Sequence, residues 1–279
     1  MILPWAGVVR QAGFMSAQPR IGVIGGSGFY SFFDSSADQV KVRTPYGDPS
    51  AAITIGDVGG VPVAFLPRHG VSHEYAPHTV PYRANAWALR SVGVRRVFAP
   101  CAVGGLNPDL APGTMVIPDQ LVDRTTSRSQ TFFDGPAIHV GYADPYCPTL
   151  RMTAATAAPE AVTEGTMVVV EGPRFSTRAE SQWYARQGWT LINMTGHPEA
   201  VLARELEMCY ASIALVTDID AGLVAGEGVT ASEVFAVFEL GLERLREVLG
   251  TAIGDAAEQS ECLCARGEHD IAAVMEVEL

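Results

Sequence analysis

Basic side chains are scarce in this sequence, and their scarcity argues against two classes of partner. The 279 residues include 19 Lys and Arg against 31 Asp and Glu, which gives a net charge of −12. A chain this acidic is a poor candidate for binding nucleic acid or an anionic membrane surface through its overall field. An anionic small molecule would need a local pocket of hydrogen-bond donors.

Long apolar runs and paired metal-binding motifs are also missing. No run of about 18 apolar residues is present, so the sequence predicts no membrane span. The five cysteines form no CxxC pair, and Cys262 and Cys264 have no second ligand pair nearby in the sequence. We therefore predict no metal site and interpret the cysteines as reduced thiols of a cytoplasmic protein.

What is present is the pattern of one large α/β domain. Apolar residues make up 48% of the chain and charged residues 18%, which provides for a sizeable core. Strands alternate with helices, so we expect a sheet covered on both faces. The strands are predicted at Arg20–Gly25, Ala51–Ile55, Val61–Leu66, Val94–Ala99, Thr166–Val170, Thr190–Asn193 and Tyr210–Thr217. Helices are predicted over Tyr82–Val92, after the capping boxes Thr177/Glu180 and Thr230/Glu233, and from Pro198.

The ends of the chain are predicted to lie outside this domain. Residues 1–19 have no convincing cleavage site, and we interpret them as a disordered extension. The domain itself is predicted over residues 20–250, and residues 251–279 form an acidic, weakly periodic tail that we expect to be loose.

Four loops that follow predicted strands carry groups suited to a small anion. They are Gly25-Gly-Ser-Gly28, Pro67-Arg-His-Gly70, Cys101-Ala-Val-Gly-Gly105 and Met194-Thr-Gly196. Ligands of open α/β sheets bind outside the carboxyl ends of the strands, so these loops predict one shared phosphate pocket. The first loop lacks the GxGxxG spacing, so a nicotinamide-dependent dehydrogenase gains little support even though Asp38 and Asp48 are available to read a ribose.

Longer motifs resemble those of one family. IGVIGGSGF, LPRHG, YRANAWALRSVGV, EGPRFSTRAES and INMTGHPEA lie within residues 20–250 and are similar to segments of the trimeric purine nucleoside phosphorylase and methylthioadenosine phosphorylase family. The resemblance implies a single α/β domain whose central mixed, mostly parallel β-sheet is flanked by helices. It also implies phosphorolysis of a purine nucleoside with inorganic phosphate as co-substrate, in purine and methionine salvage. Neither a metal nor an organic cofactor is implied.

The resemblance also implies residue roles. Phosphate-binding positions match Ser27, Arg68, His69, Ala102 through its backbone, and Thr195. Nucleoside-binding positions match Phe175, Ser176, Met194, Asp218, Asp220, Ala231 and Val234. The catalytic set would be Asp218, Asp220, Arg68 and His69. His139 matches a residue that reaches into a neighbouring subunit's site, which implies a homotrimer. Cys101 stands where the family usually has Thr or Asn, and we interpret it as a packed thiol.

Two features bear on the nucleoside. Asp218 can accept a hydrogen bond from a 6-amino group, whereas relatives that prefer 6-oxopurines carry Asn at this position. Ala231 and Val234 offer an apolar surface to a thioether, where relatives that bind a 5′-hydroxyl tend to have His. Both features favour 5′-methylthioadenosine. MTGHPEA resembles a variant found in bacterial relatives that process 6-oxopurines or methylthioinosine, so inosine, guanosine and methylthioinosine remain alternatives.

A rival of another class is a non-catalytic purine-binding protein. Such a protein would need the base pocket but not Arg68, His69 and Thr195 together. Phosphate-dependent release of free base would distinguish the two.

Overall fold

The computed structural model describes residues 8–10, 18–26, 29, 37–135, 138–221, 223, 229–259, 262–265 and 271–275. The strands are β1 (Val8–Arg10), β2 (Ile21–Gly25), β3 (Asp38–Val42), β4 (Ile53–Val58), β5 (Val61–Pro67), β6 (Arg96–Gly105), β7 (Met115–Val116), β8 (Gln120–Arg124), β9 (Thr166–Val170), β10 (Leu191–Asn193) and β11 (Cys209–Ile219). The helices are α1 (Tyr82–Ser91), α2 (Pro148–Ala157), α3 (Arg178–Arg186), α4 (Gly196–Glu205), α5 (Ala231–Ala257), the short 3₁₀ helix Leu263–Ala265 and α6 (Ala272–Met275). None of the described helices is long and apolar enough to cross a membrane.

The strands form one mixed sheet, as the sequence predicts. Its order is β1-β3-β4-β5-β2-β6-β10-β9-β8, with β11 on the other edge of β6 and β7 beside β11. Strands β5, β2, β6 and β11 run parallel to one another, as do β8, β9 and β10. β4 and β5 form a hairpin at Gly59-Gly60, because they pair antiparallel with Val58 opposite Val61.

Helices cover both faces of the sheet because its central strands alternate between two cores. In β5, Ala64 and Leu66 belong to the core that α1 and α4 cover, whereas Val63 and Phe65 belong to the core that α2 and α5 cover. Successive residues of a strand point to opposite faces, so a strand buried on both sides must be apolar throughout.

Local signals place most of the helices correctly. Thr177 and Glu180 form the predicted reciprocal capping box at the start of α3. At the start of α5 the Thr230 side chain accepts the N–H of Glu233 at 3.4 Å. Helix α5 continues to Ala257, past the predicted domain boundary at residue 250.

Both chain ends make contacts beyond the predicted domain. Strand β1, within the segment 1–19, pairs with β3 at the edge of the sheet. Near the other end, Val274 and Met275 are buried, and the Trp87 indole N–H donates to the Val274 carbonyl at 3.1 Å. Both contacts are long-range, so local periodicity does not reveal them. The domain boundaries at residues 20 and 250 stay predictions.

A gap beside β6 prepares the site. One edge of β6 pairs with β2 at its start, over Arg96–Phe98, and with β10 at its end, over Gly104-Gly105. Between the two pairings, residues 99–103 face no described strand on that edge. The gap opens where strands β2 and β5 end and their loops begin. This is the carboxyl side of the parallel strands, where α/β folds bind ligands.

Candidate active site

A cavity of about 270 Å³ opens at this gap. Its walls come from the loops after β2, β5 and β9, from β6, β10 and β11, and from the first turn of α5. The predicted site residues among its lining are Arg68, His69, Ala102, Phe175, Ser176, Met194, Thr195, Asp218, Asp220, Ala231 and Val234. Residues that are distant in the sequence therefore share one pocket, although their roles stay predictions.

Two predicted residues are not placed in this cavity. Ser27 lies outside the described residues. His139 is exposed on the surface, next to Ile138, which is 38% exposed, and it does not line the cavity of its own chain.

Arg68 fills the gap between the ends of β2 and β6. Its side chain is 1% exposed and donates to the carbonyl oxygens of Ile24 at 3.2 Å and Pro100 at 3.3 Å. Its Nε and second terminal nitrogen form a two-point ion pair with Glu199, at 2.5 and 3.0 Å. Although burial alone would lower it, Glu199 holds the pKa of Arg68 above its ordinary value. The guanidinium is thus permanently charged, fixed and largely neutralised by its partner.

One face of the guanidinium remains open towards the cavity because Gly26 has no side chain. A Cβ at Gly26 would come within 2.8 Å of a terminal nitrogen of Arg68. That nitrogen carries two hydrogens, and Pro100 accepts one of them. Among the residues that the structure describes, no group accepts the other hydrogen, so it can be donated to an anion in the cavity.

His69 is neutral near physiological pH. Its Nδ1 lies 2.8 Å from the carbonyl oxygen of Tyr75, so Nδ1 carries the hydrogen and Nε2 is an acceptor. Burial, reinforced by the nearby Arg68, lowers the pKa of His69 to about 4. The ring stacks on His73 with the centroids 4.6 Å apart. His69 therefore suits a P–OH or a sugar hydroxyl rather than a bare negative charge.

Asn193 shapes another part of the cavity wall near Ala102. Its Oδ1 accepts the backbone N–H groups of Thr195 and Gly196, both at 2.6 Å, and its Nδ2 donates to the Ala102 carbonyl at 3.3 Å. Thr195 precedes α4 but makes no side-chain cap, and its hydroxyl donates to Asn193 Oδ1 at 3.4 Å, a long hydrogen bond that a ligand in the cavity could replace. Sequence reasoning missed Asn193, since a buried Asn at the end of a strand has no distinctive signal.

Cys101 is a packed thiol, as expected. Its Sγ lies 3.3 Å from the Ser212 hydroxyl, and burial raises the pKa of the thiol. It lines the cavity without being prepared as a nucleophile.

The opposite end of the cavity is acidic. Burial raises the pKa of Asp218 to about 6, and Asp220 adds to the shift. The Thr217 hydroxyl lies 2.8 Å from Asp218 Oδ2 and 3.2 Å from the Val103 carbonyl oxygen. It can donate to the ionised carboxylate, or accept from the protonated one while donating to Val103. Asp218 can therefore change its protonation state without leaving a polar group unpaired.

Asp220 is held more tightly. It is 3% exposed and accepts the Ser181 hydroxyl at 2.5 Å. Burial raises the pKa of Asp220, while hydrogen bonds from Ser181 and Ser176 oppose the shift. Gly104 packs against both acidic residues, since a Cβ there would lie 2.8 Å from Ile192, 3.2 Å from the Asp218 carboxylate and 3.4 Å from Asp220 Cβ.

An apolar wall joins the two ends. Ala231, Val234 and Phe235 extend from the first turn of α5 into the cavity, and His73 contacts Phe235 edge-on with the centroids 6.0 Å apart. Sequence reasoning missed His73 and Phe235. The helical spacing of residues 231, 234 and 235 indicates one face and could have revealed Phe235.

Comparison with known proteins decides the family. The family model described as "Phosphorylase superfamily" matches residues 20–254. The chain belongs to the phosphorylase superfamily. The resemblance seen in the sequence motifs is thereby confirmed, and the chain is an enzyme of the pentosyltransferase type.

Individual superfamily members are similar over most of the chain. An S-methyl-5′-thioadenosine phosphorylase of Mycolicibacterium smegmatis is 65% identical over 242 residues, which cover 87% of this chain and 93% of that protein. A purine nucleoside phosphorylase of Streptomyces coelicolor is 56% identical over 260 residues, covering 88% and 92%. The structure of methylthioadenosine phosphorylase from Schistosoma mansoni in complex with adenine has a TM-score of 0.84 at 34% identity, covering 92% of this chain and 98% of that one. The predicted nucleoside phosphorylase-like fold is confirmed.

Proposed function

We propose that the chain catalyses phosphorolysis of 5′-methylthioadenosine, giving adenine and 5-methylthioribose 1-phosphate for purine and methionine salvage. One observation carries the proposal. A single cavity has hydrogen-bond donors for an anion at one end, two carboxylates of raised pKa at the other, and an apolar wall beside them. The similarity to the Mycolicibacterium smegmatis enzyme supports the choice of nucleoside.

Phosphate binds at the donor end. The free N–H of Arg68 and the Thr195 hydroxyl donate to its oxygens, with the Ser27 hydroxyl and the Ala102 backbone as further predicted contacts. Since His69 is neutral and its Nδ1 hydrogen is occupied, its Nε2 accepts the P–OH hydrogen of hydrogen phosphate. This arrangement directs an unprotonated phosphate oxygen towards C1′.

The C1′–N9 bond breaks as phosphate approaches. Its electron pair leaves with adenine, the sugar gains oxocarbenium character, and the nearby phosphate dianion stabilises that charge. A phosphate oxygen then forms the new bond to C1′. Protonated Asp218 donates its proton to N7 of the leaving base while its other oxygen accepts from the exocyclic amino group, and Asp220 is a second acceptor for that group. An acid with a pKa of about 6 is suited to this transfer near neutral pH.

The apolar wall selects the 5′ substituent. A methylthio group against Ala231, Val234 and Phe235 buries apolar surface, whereas a 5′-hydroxyl would need a hydrogen-bond partner there. Phosphate is the co-substrate, and we propose that no organic cofactor takes part.

A second candidate is phosphorolysis of 6-oxopurine nucleosides. The similarity to the purine nucleoside phosphorylase of Streptomyces coelicolor favours it. Asp218 argues against it, because the carboxyl oxygen that accepts from a 6-amino group would face the O6 acceptor of a 6-oxopurine.

A phosphorolysis panel tests the choice. Purified enzyme is incubated with methylthioadenosine, adenosine, inosine, guanosine or methylthioinosine, with and without phosphate, and free base is measured. We expect phosphate-dependent release to be fastest, by kcat/KM, from methylthioadenosine. A faster reaction with any 6-oxopurine nucleoside would overturn the proposed substrate but not the reaction type, and binding without base release would indicate a non-catalytic purine-binding protein.

We also propose a cytoplasmic homotrimer in which His139 completes the cavity of a neighbouring subunit. Its surface position, away from the cavity of its own chain, supports this arrangement. Light scattering in dilute solution is expected to give three times the chain mass of 29.7 kDa. A fully active monomer would rule out a shared site.

A further inference from the structure

Four cysteines from three distant parts of the sequence meet in the folded chain. The Sγ atoms of Cys147, Cys209, Cys262 and Cys264 all lie within 4.8 Å of one another. None of the four lines the catalytic cavity, so the proposed reaction leaves them without a role. The sequence predicts no metal site because only Cys262 and Cys264 are neighbours in it. The fold supplies the missing second pair.

The first pair is fixed by backbone hydrogen bonds. Cys147 is the residue before α2, and its N–H donates to the Tyr210 carbonyl at 2.8 Å. Cys209 begins β11, and its N–H donates to the Arg95 carbonyl at 2.9 Å. Their exposed fractions are 1% and 3%. Two sulfurs are therefore held in place in the rigid core of the domain.

The second pair comes from the segment that follows α5. Cys262 Sγ lies 3.5 Å from Cys147 Sγ, and both Cys262 and Cys264 are half-buried. This segment is attached on both sides. Before it, the Gln259 side chain donates to the Thr153 hydroxyl at 2.5 Å; after it, the Val274 carbonyl accepts the Trp87 indole N–H. These contacts therefore hold the thiols of Cys262 and Cys264 beside the first pair.

These distances fit a tetrahedral thiolate site. Zinc–sulfur bonds of about 2.3 Å in a tetrahedron place neighbouring sulfurs about 3.8 Å apart. The Sγ atoms of Cys147 and Cys262 lie 3.5 Å apart, and no two of the four Sγ atoms are more than 4.8 Å apart. Small side-chain rotations therefore bring the four sulfurs to tetrahedral separations. All four cysteines are free thiols rather than disulfides, in which the bonded sulfurs would lie about 2.05 Å apart.

We propose that Cys147, Cys209, Cys262 and Cys264 bind one Zn²⁺ ion in a structural site that fastens the C-terminal segment to the domain. Soft thiolates favour Zn²⁺ over Mg²⁺ or Ca²⁺, and a complete set of four leaves no position for a substrate. Binding replaces four S–H protons with four S–Zn bonds and releases the protons, leaving a site of charge −2. The positive end of the α2 dipole, at Cys147, partly offsets that charge.

Metal content tests the proposal directly. The full chain is expressed with added Zn²⁺, purified with reductant and without chelator, and its zinc is measured by mass spectrometry. We expect about one zinc per chain in the wild type, near-complete loss in Cys262→Ser/Cys264→Ser, and retention in Cys101→Ser. Cys101 is the matched control, since it is the one cysteine of the five outside the cluster. Chelation should lower the Tm of the wild type and leave that of the double variant unchanged.

Titration with Co²⁺ in place of Zn²⁺ tests the site in the wild-type chain, so its result does not depend on whether a variant folds. Titration of the reduced wild type should give thiolate-to-cobalt charge-transfer absorption and tetrahedral visible bands that saturate at one equivalent. Absence of both zinc and these bands in reduced protein would overturn the site. Disulfide bonds within the cluster would also overturn the site. They would lower the intact mass by two hydrogens for each disulfide and leave fewer than five free thiols after denaturation.

Discussion

The two ends of the cavity manage charge in opposite ways. At the phosphate end, Arg68 is permanently charged, two-point paired with Glu199 and fixed by two carbonyl oxygens, while His69 is neutral. At the purine end, Asp218 and Asp220 both have raised pKa values because they are buried. One end therefore offers fixed donors to an anion, as the proposed function requires, and the other has a carboxyl that can exchange a proton near neutral pH.

The difference shows how an acidic protein can bind phosphate. The field of the whole chain repels an anion, and the local Arg68 charge is largely neutralised by Glu199, whose second oxygen also accepts the Tyr210 hydroxyl at 2.9 Å. Binding must then depend on oriented N–H and O–H groups more than on net charge. Glu199 contributes by holding the guanidinium in position.

The largest effect is expected from breaking the Arg68–Glu199 pair. Arg68→Ala leaves a buried carboxylate without its partner, which should lower the free energy of unfolding by about 3–5 kcal/mol. The lost charge-assisted hydrogen bond should raise the phosphate KM roughly ten- to a hundredfold. Steady-state kinetics and denaturant unfolding measure both, and the nucleoside KM should change little.

A double variant separates the two consequences. Arg68→Met/Glu199→Gln removes both charges, so it should regain much of the stability but none of the phosphate affinity. An unchanged phosphate KM in either variant would remove Arg68 from the phosphate site.

The next effect concerns the purine end. Asp218→Asn replaces an acceptor for the 6-amino group with an amide that can donate to O6. The ratio of kcat/KM for methylthioadenosine to that for methylthioinosine should fall by roughly one to two decades. This factor corresponds to a free-energy difference of about 1–3 kcal/mol. Asp220→Asn is the comparison, and because Asp220 can partly compensate, the double variant is the stricter test. A ratio that stays the same in all three variants would deny Asp218 its part in base selection.

The proton at Asp218 predicts a pH dependence. Protonated Asp218 is the active form, so kcat/KM for the nucleoside should fall about tenfold per unit as pH rises above about 6. Asp218→Asn has no carboxyl to titrate, and its profile should lack this limb while retaining any effect of phosphate ionisation. A wild-type limb that persists in the variant would belong to another group.

The same pKa has a consequence for stability. The folded-state pKa is raised above the ordinary value of 3.8, so the protonated form stabilises the folded chain. That contribution is complete below the unfolded pKa and is lost as pH rises through about 6. Thermal unfolding of wild type and Asp218→Asn across this range should therefore differ least at low pH.

Sequence reasoning located the cavity because its signals are local. Gly-rich loops after buried strands predict where ligand groups gather, and Arg68, Thr195 and Asp218 do meet there. The partner of Arg68 was not predictable in this way. Glu199 lies in the first turn of α4, where the helix dipole explains an acidic residue equally well.

The charge state of His69 and the clustering of distant cysteines were also not predictable from local sequence signals. The neutral state of His69 depends on the Tyr75 carbonyl and on burial, neither of which a PRHG motif encodes. The cysteine cluster forms because the fold brings Cys262 and Cys264 close to Cys147 and Cys209, and the sequence pattern does not show this contact. Ser27 and His139 stay predictions, since neither is placed at the cavity.

The smallest effect is expected at the apolar wall between the two ends. Ala231→His places an imidazole at the first turn of α5, where it can hydrogen-bond a 5′-hydroxyl but gains nothing from a thioether. The preference for methylthioadenosine over adenosine, measured as the ratio of kcat/KM values, should fall by about 1 kcal/mol, roughly fivefold. Ala231→Leu is the matched control, because it adds bulk without a polar group and should not improve adenosine relative to methylthioadenosine. Equal ratios in the two variants would mean that position 231 acts through its size alone, and the 5′ selectivity would then have to come from Val234 and Phe235.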